Sequence, residues 1–163
     1  PGRPKPPGLE VLTPQLREQF EQNFVFNDTA TTEIYTALFP KGMALERAFA
    51  LAGGLLIAGT DPTGGGGVIP GFANQRLAEL FVEAGFTPLE AIAMSTLNGA
   101  KYLGRDARIG SLAVGKQADL VVIDGNPAAT IADVRKVETV FKQGIGYDPV
   151  KLVASVTGKA GLW

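Results

Sequence analysis

Asp61 is the residue of this sequence placed best for chemistry. It follows the apolar run Leu55-Leu56-Ile57-Ala58 and the pair Gly59-Thr60, and it opens through Pro62 onto a glycine-rich stretch. In α/β folds, catalytic groups project from the carboxyl ends of parallel strands. An aspartate there can equally start a turn by bonding the backbone that follows it, and position alone leaves both readings open. Gly64-Gly65-Gly66-Gly67 could turn successive amides toward an anion. It lacks the Gly-Lys-Ser/Thr ending of a phosphate loop and any G-x-G-x-x-G spacing that opens into a helix, so it reads as a loop or lid. Asp119 and Asp124 bracket the apolar run Leu120–Ile123. Paired carboxylates can do acid–base work, but strand-end turn formers explain these two more simply. Lys101 and Tyr102, after Asn98-Gly99, read as a solvated or packing pair.

What is missing narrows the chemistry further. The 163 residues contain no histidine and no cysteine. That removes the commonest general base, the thiolate nucleophile and nearly every zinc site that one chain could build alone. It excludes a self-contained Ser-His-Asp, Cys-His or His-metal enzyme, and it leaves no disulfide framework from which a compartment could be read. Fifteen Lys and Arg stand against sixteen Asp and Glu, for a net charge of −1. No polycationic surface for nucleic acid or an anionic membrane is expected. With 45% hydrophobic and 19% charged residues, the chain is long enough for one domain with a sizeable core. Its longest uncharged stretch, Ala48 to Thr60, is too short and too glycine-interrupted to span a bilayer, so a soluble chain is expected. Pro1 to Pro7 has no apolar segment of the kind a secretory signal needs.

The elements that would position these residues follow from spacing. Thr13-Pro14, an N-cap with proline at the first helical position, opens a polar helix through about Gln22. Leu45, Ala48, Phe49 and Ala52 fall at the spacing of a helix with one buried face, and Gly53-Gly54 ends that helix. Leu55–Ala58 is short and wholly apolar, which predicts a parallel strand buried on both faces. Leu77, Leu80, Phe81 and Ala84 repeat the helical spacing, with Gly85 as the residue that closes the helix. Thr87-Pro88-Leu89-Glu90 is a capping box, and the helix it opens should carry Leu89, Ile92, Ala93, Leu97 and Ala100 on its inner face. From Ile109 the pattern changes to short strands, Leu120–Ile123 and Val137–Phe141, which make a small β-rich module.

Four blocks then stand out together: Leu-Leu-Ile-Ala-Gly-Thr-Asp (55–61), Val-Glu-Ala-Gly-Phe-Thr-Pro-Leu-Glu-Ala-Ile (82–92), Ser-Thr-Leu-Asn-Gly-Ala-Lys-Tyr-Leu-Gly (95–104) and Gly-Ser-Leu-Ala-Val-Gly-Lys-Gln-Ala-Asp-Leu-Val-Val-Ile-Asp-Gly-Asn-Pro (110–127). In this order and spacing they resemble the C-terminal part of metal-dependent amidohydrolases, above all the imidazolonepropionase-like and Xaa-Pro dipeptidase-like branch. The resemblance covers about residues 41 to 150 and, more weakly, 9 to 22. It implies an α/β fold: the C-terminal portion of a (β/α)₈ TIM barrel plus part of a small composite β-sandwich. It also implies a mono- or binuclear divalent metal centre, usually zinc, and a substrate that is a small amide, cyclic amide or dipeptide. Asp61 matches the aspartate after the eighth barrel strand, which in such enzymes binds metal and passes the proton from the nucleophilic water to the leaving amine. Thr63 and Asn74 are candidate substrate-binding residues by their nearness to the loop Pro62 to Gly71. The family's other metal ligands, a His-x-His pair and later His or Lys residues, have no counterpart here, and one aspartate cannot hold a catalytic zinc.

The expected division is residues 1–26 as a partial barrel helix and linker, 37–106 as the last helix–strand–helix units, 107–147 as the β-sandwich part and 148–163 as a C-terminal tail. Residues 27–36, Asn-Asp-Thr-Ala-Thr-Thr-Glu-Ile-Tyr-Thr, have a different origin in this reading. They are what AAT GAT ACG GCG ACC ACC GAG ATC TAC AC, a common sequencing-library adapter, encodes in frame, and they show no helical or strand period. The overall expectation is a fragment of a C–N bond hydrolase, inactive alone, that acts on a small-molecule amide or peptide and is compatible with a homo-oligomer. It has neither a nucleic-acid nor a membrane partner. The alternative is a non-catalytic α/β module whose glycine-rich loop binds an anion.

Overall fold

The computed structural model describes residues 8–18, 29–60, 69 and 71–159. After a helix that begins at Pro14, four helices lead into a small sheet and another follows it: α1 (Thr29–Leu51), α2 (Phe72–Glu83), α3 (Pro88–Met94), α4 (Leu97–Tyr102), β1 (Leu120–Ile123), β2 (Val137–Lys142), β3 (Ile145–Tyr147) and α5 (Pro149–Val156). Single 3₁₀ segments lie at Leu9–Val11 and Ile131–Arg135. Among the described residues no helix is long and apolar enough to cross a membrane.

Local chemistry sets most element ends. The Thr87 hydroxyl accepts from the Glu90 amide at 3.3 Å, and the Glu90 carboxylate accepts from the Thr87 amide at 2.7 Å, so the capping box forms as expected. Gly85 closes α2 with φ of +95°, a conformation in which a Cβ would be strained. Thr13 accepts from the Leu16 amide at 3.3 Å, and helix begins at Pro14; the expected end near Gln22 lies outside the described residues. The stretch expected as a tail contains α5, capped by Asp148 through the Val150 and Lys151 amides.

Three expectations are corrected. The helix after the capping box is two helices, broken at Ser95-Thr96, whose hydroxyls bond back to the Ala91 and Ile92 carbonyls at 2.8 and 2.6 Å and compete with the backbone ladder. The break re-aims the inner face: Ala91, Met94 and Ala100 are buried, whereas Leu89 is exposed. In α1, Leu45 and Phe49 lie on an exposed face, 72% and 51% accessible, because periodicity identifies an apolar stripe without supplying what covers it. Residues 54–60 belong to no helix or strand and join no ladder with a described strand, so the expected parallel strand at Leu55–Ala58 is not formed. A strand exists only by pairing, whatever its composition. Residues 29–36, for which no period was found, stand at the start of α1.

Among the described residues, two apolar clusters form the core. Phe81, Phe86, Ala91 and Met94 form one, with Leu56, Ala58, Leu77 and Ile131 packed against it. The Phe81 and Phe86 rings meet edge to face, 6.1 Å apart at 86°. Leu9, Val11, Leu12 and Ile69 form the other, covered by Leu16, Phe72 and Val153 of α5. The sheet is antiparallel in the order β1-β2-β3, with Val121 opposite Val140 and Val140 opposite Tyr147. β3 was not expected from the sequence. Gln143 and Gly144 both take positive φ, 53° and 81°, which is the tight-hairpin conformation that returns the chain beside β2.

Candidate active site

The chain approaches Asp61 along residues 54–60, and three contacts fix that approach. The Leu56 carbonyl accepts from Nδ2 of Asn98 at 2.9 Å, and the Ala58 amide donates to the Met94 carbonyl at 3.1 Å. The Thr60 hydroxyl donates to Oδ1 of Asn74 at 3.2 Å. Leu56 and Ala58 turn to the Phe81–Met94 cluster. Asn74, singled out by proximity alone, is thus brought against the residue immediately before Asp61. Asp61, Thr63 and the glycine run 64–67 lie outside the described residues. Asn98 was not singled out. The only signal it offers is a polar, poorly helix-forming residue beside Leu97 and near the buried Ala100.

The other candidates resolve into structure. Asp119 ties the hairpin: its carboxylate accepts from Lys142 at 2.5 Å, the Gln143 amide at 2.7 Å and Gln117 at 2.6 Å. The Lys142 ammonium, then the Gln143 amide, hold its carboxyl below the ordinary aspartate range. The Asp124 amide donates to the Lys136 carbonyl at 2.8 Å in the strand-end turn, and Lys101 and Tyr102 are exposed. A charge cluster not foreseen joins α2 to the 3₁₀ segment 131–135. Arg135 grips Glu79 with two bonds, 2.6 and 2.9 Å, while Arg76 reaches Glu79 at 3.4 Å and Glu83 at 2.5 Å. Arg135 above all holds the Glu79 carboxyl below its ordinary value.

Among the described residues, no three His, Cys, Asp or Glu side chains converge to hold a metal ion. With no histidine or cysteine anywhere in the sequence, the donors of this chain do not fit a catalytic metal centre by themselves.

Comparison with known proteins agrees with this architecture. The amidohydrolase family model matches residues 25–145. An imidazolonepropionase from Syntrophobacter fumaroxidans is 39% identical over 77 residues, 45% of this chain and 18% of that protein. A Xaa-Pro dipeptidase crystallised with methionine in its active site superposes with a TM-score of 0.63 at 26% identity, over 88% of this chain and 34% of its own. An amidohydrolase from Thermotoga maritima gives 0.55 at 30% identity, over 65% and 26%. The chain therefore spans about a third or less of the length of each protein it matches, and by the family match over most of its residues it belongs to the amidohydrolase family.

Proposed function

We propose that this chain is the carboxyl-terminal portion of a (β/α)₈ barrel, together with part of a small composite β-sandwich, in an enzyme that hydrolyses C–N bonds of small amides, cyclic amides or dipeptides. The observation that carries the reading is the segment 54–60, which directly precedes Asp61 in the sequence and is held by Asn98, Met94 and Asn74. In this reading residues 55–58 become a barrel strand once a neighbouring strand pairs the edge opposite the one that Asn98 and Met94 occupy. Asp61 takes a proton from the water that attacks the carbonyl carbon, and returns it to the nitrogen as the C–N bond breaks. Thr63 and Asn74 border the substrate. A divalent metal, zinc in a mono- or binuclear centre, would draw its remaining ligands from outside this chain, so residues 1–163 alone are expected to be inactive.

The test is to recover the coding sequence upstream of Pro1, express the whole protein and assay release of proline from Met-Pro and ring opening of imidazolonepropionate, with and without Zn²⁺. Turnover of either substrate that falls at least about 10³-fold in Asp61→Asn supports the reading. Full turnover by the Asp61→Asn protein, or by residues 1–163 alone, refutes it.

Residues 27–36 belong to the same proposal as an insert of adapter origin. Pro40 supports this: it lies inside α1, where it removes a backbone donor, yet it would be favourable as the first residue of a helix that began there. Long-read sequencing of the locus decides the point, and persistence of those ten codons in frame would overturn it.

A further inference from the structure

Residues 54–60 join no ladder among the described residues, and the Leu56 and Ala58 side chains face a core, so the backbone groups beside them need partners that no described strand provides. Two of those groups are met by the corner between α3 and α4. The Leu56 carbonyl takes the Asn98 side-chain amide and the Ala58 amide takes the Met94 carbonyl. In an extended chain, the carbonyl of one residue and the amide of the second residue after it point the same way. In a parallel sheet a single residue of the neighbouring strand engages both, giving its N–H to the first and its C=O to the second. The corner reproduces that pair from two sources. Met94 is the last residue of α3, where carbonyls lack a helical partner. Asn98 lies in the first turn of α4 and contributes a side-chain donor from 42 residues away in sequence.

We propose that Asn98 is a positioning residue that stands in for a strand neighbour and fixes the line along which the chain leaves Thr60 for Asp61. The donor character of the carboxamide is what matters. An aspartate of the same size offers only acceptors when ionised and would oppose the Leu56 carbonyl, whereas its protonated form regains one donor. The Asn74–Thr60 bond anchors the far end of the segment on the same side, so the two amide side chains bracket the approach. What Asp61 then does rests on the hydrolase reading; the backbone role of Asn98 does not.

Two arms test this in the whole protein. In the first, hydrogen exchange is followed across residues 54–60 and across the sheet 120–147 in wild type, Asn98→Asp and Asn98→Ala. At pH 8 both variants should exchange about tenfold or more faster than wild type in 54–60 with the sheet unchanged, since a lost bond to a buried carbonyl opens the segment locally. The Asn98→Asp excess should shrink as the pH is lowered to 5, while that of Asn98→Ala should not. Unchanged exchange at 54–60, or equal acceleration in the sheet, overturns the proposal. Should Asn98→Asp fail to fold at pH 8, recovery of the fold at pH 5 is required, and its absence is equally contrary. In the second arm, Met-Pro hydrolysis should show kcat about 10- to 100-fold lower in Asn98→Asp at pH 8, with KM within about threefold, as expected when a reacting group is misplaced rather than the substrate released. An unchanged kcat overturns the positioning role. If wild type itself does not turn over Met-Pro or imidazolonepropionate, the hydrolase reading falls and the exchange arm alone decides.

Discussion

Truncating Phe81 to alanine is the sharpest test of how the approach to Asp61 is supported. Phe81 is 4% exposed and touches the cluster that carries Leu56 and Ala58. Removing its ring takes away roughly 150 Å² of buried apolar surface, worth about 4 kcal/mol at 25 cal/mol per Å². The edge-to-face partner Phe86 adds about 1 kcal/mol that area alone does not count. Against this, Phe81 also lines a groove of about 150 Å³ with Phe39, Met43, Leu77 and Leu80. The space left by the ring opens into that groove and need not persist as a dry void, which removes much of the cavity contribution. The expected net loss is therefore about 5 kcal/mol, the sum of the area and ring-pair contributions with little added for a cavity, at the upper end for Phe→Ala changes. Urea unfolding followed by far-ultraviolet circular dichroism measures it. A Phe81→Ala, Phe86→Ala cycle should recover about 1 kcal/mol of coupling. A loss under 1 kcal/mol, or additive single changes, would refute the description of this cluster as the support beneath residues 56–58.

Three smaller changes probe separate features. Thr87→Ala should cost about 1 kcal/mol in the same unfolding measurement, while Thr87→Ser should cost little, because only the capping hydroxyl is at stake. Glu79→Gln should cost about 1 kcal/mol at pH 7, as solvent screening keeps a half-exposed cluster near that size. Because Arg135 lowers the Glu79 carboxyl in the folded state, its stabilisation is present above the unfolded carboxylate value and is lost as pH falls through the lowered one, so wild type and variant should converge in acid. Asp119 has the same sign: the Gln143 amide resonance should titrate with a midpoint below the ordinary aspartate range and stop titrating in Asp119→Asn, and an ordinary midpoint would contradict the Lys142–Gln143 clasp.

The features legible in sequence are those decided within a few residues. Thr87 and Glu90 satisfy each other three positions apart, Gly85 takes the left-handed conformation a helix end needs, and the runs at 120–123 and 137–141 form strands. Part of what was missed depends on partners distant in sequence, and part on local choices that no period records. The stripe Leu45–Phe49 is visible as a pattern, but its exposure is a property of everything else in the molecule. The split at Ser95-Thr96 reflects two hydroxyls choosing carbonyls over solvent, a choice that composition does not record. At the candidate site, Asp61 is an expectation from its place after an apolar run and lies outside the described residues, while the Asn98 bond could not be anticipated, because a side-chain bond to a carbonyl 42 residues earlier leaves no period to find.

The clasp of Arg135 on Glu79, with Ile131 packed against the Phe81–Met94 cluster, means that the wiring of this chain and its adhesion follow different routes. Covalently, the helices reach the sheet only through residues 103–119, which contain no helix or strand. A protease cut there would sever the polypeptide while leaving ring, aliphatic and guanidinium contacts intact, and the two pieces should co-elute in size-exclusion chromatography, less completely once Arg135 and Ile131 are both replaced by alanine and the Val153 contact with the Leu9–Ile69 cluster remains. The connection is thus a tether that raises the local concentration of two complementary surfaces, and the register between Asp61's approach and the hairpin is kept by those surfaces rather than by the peptide bonds between them.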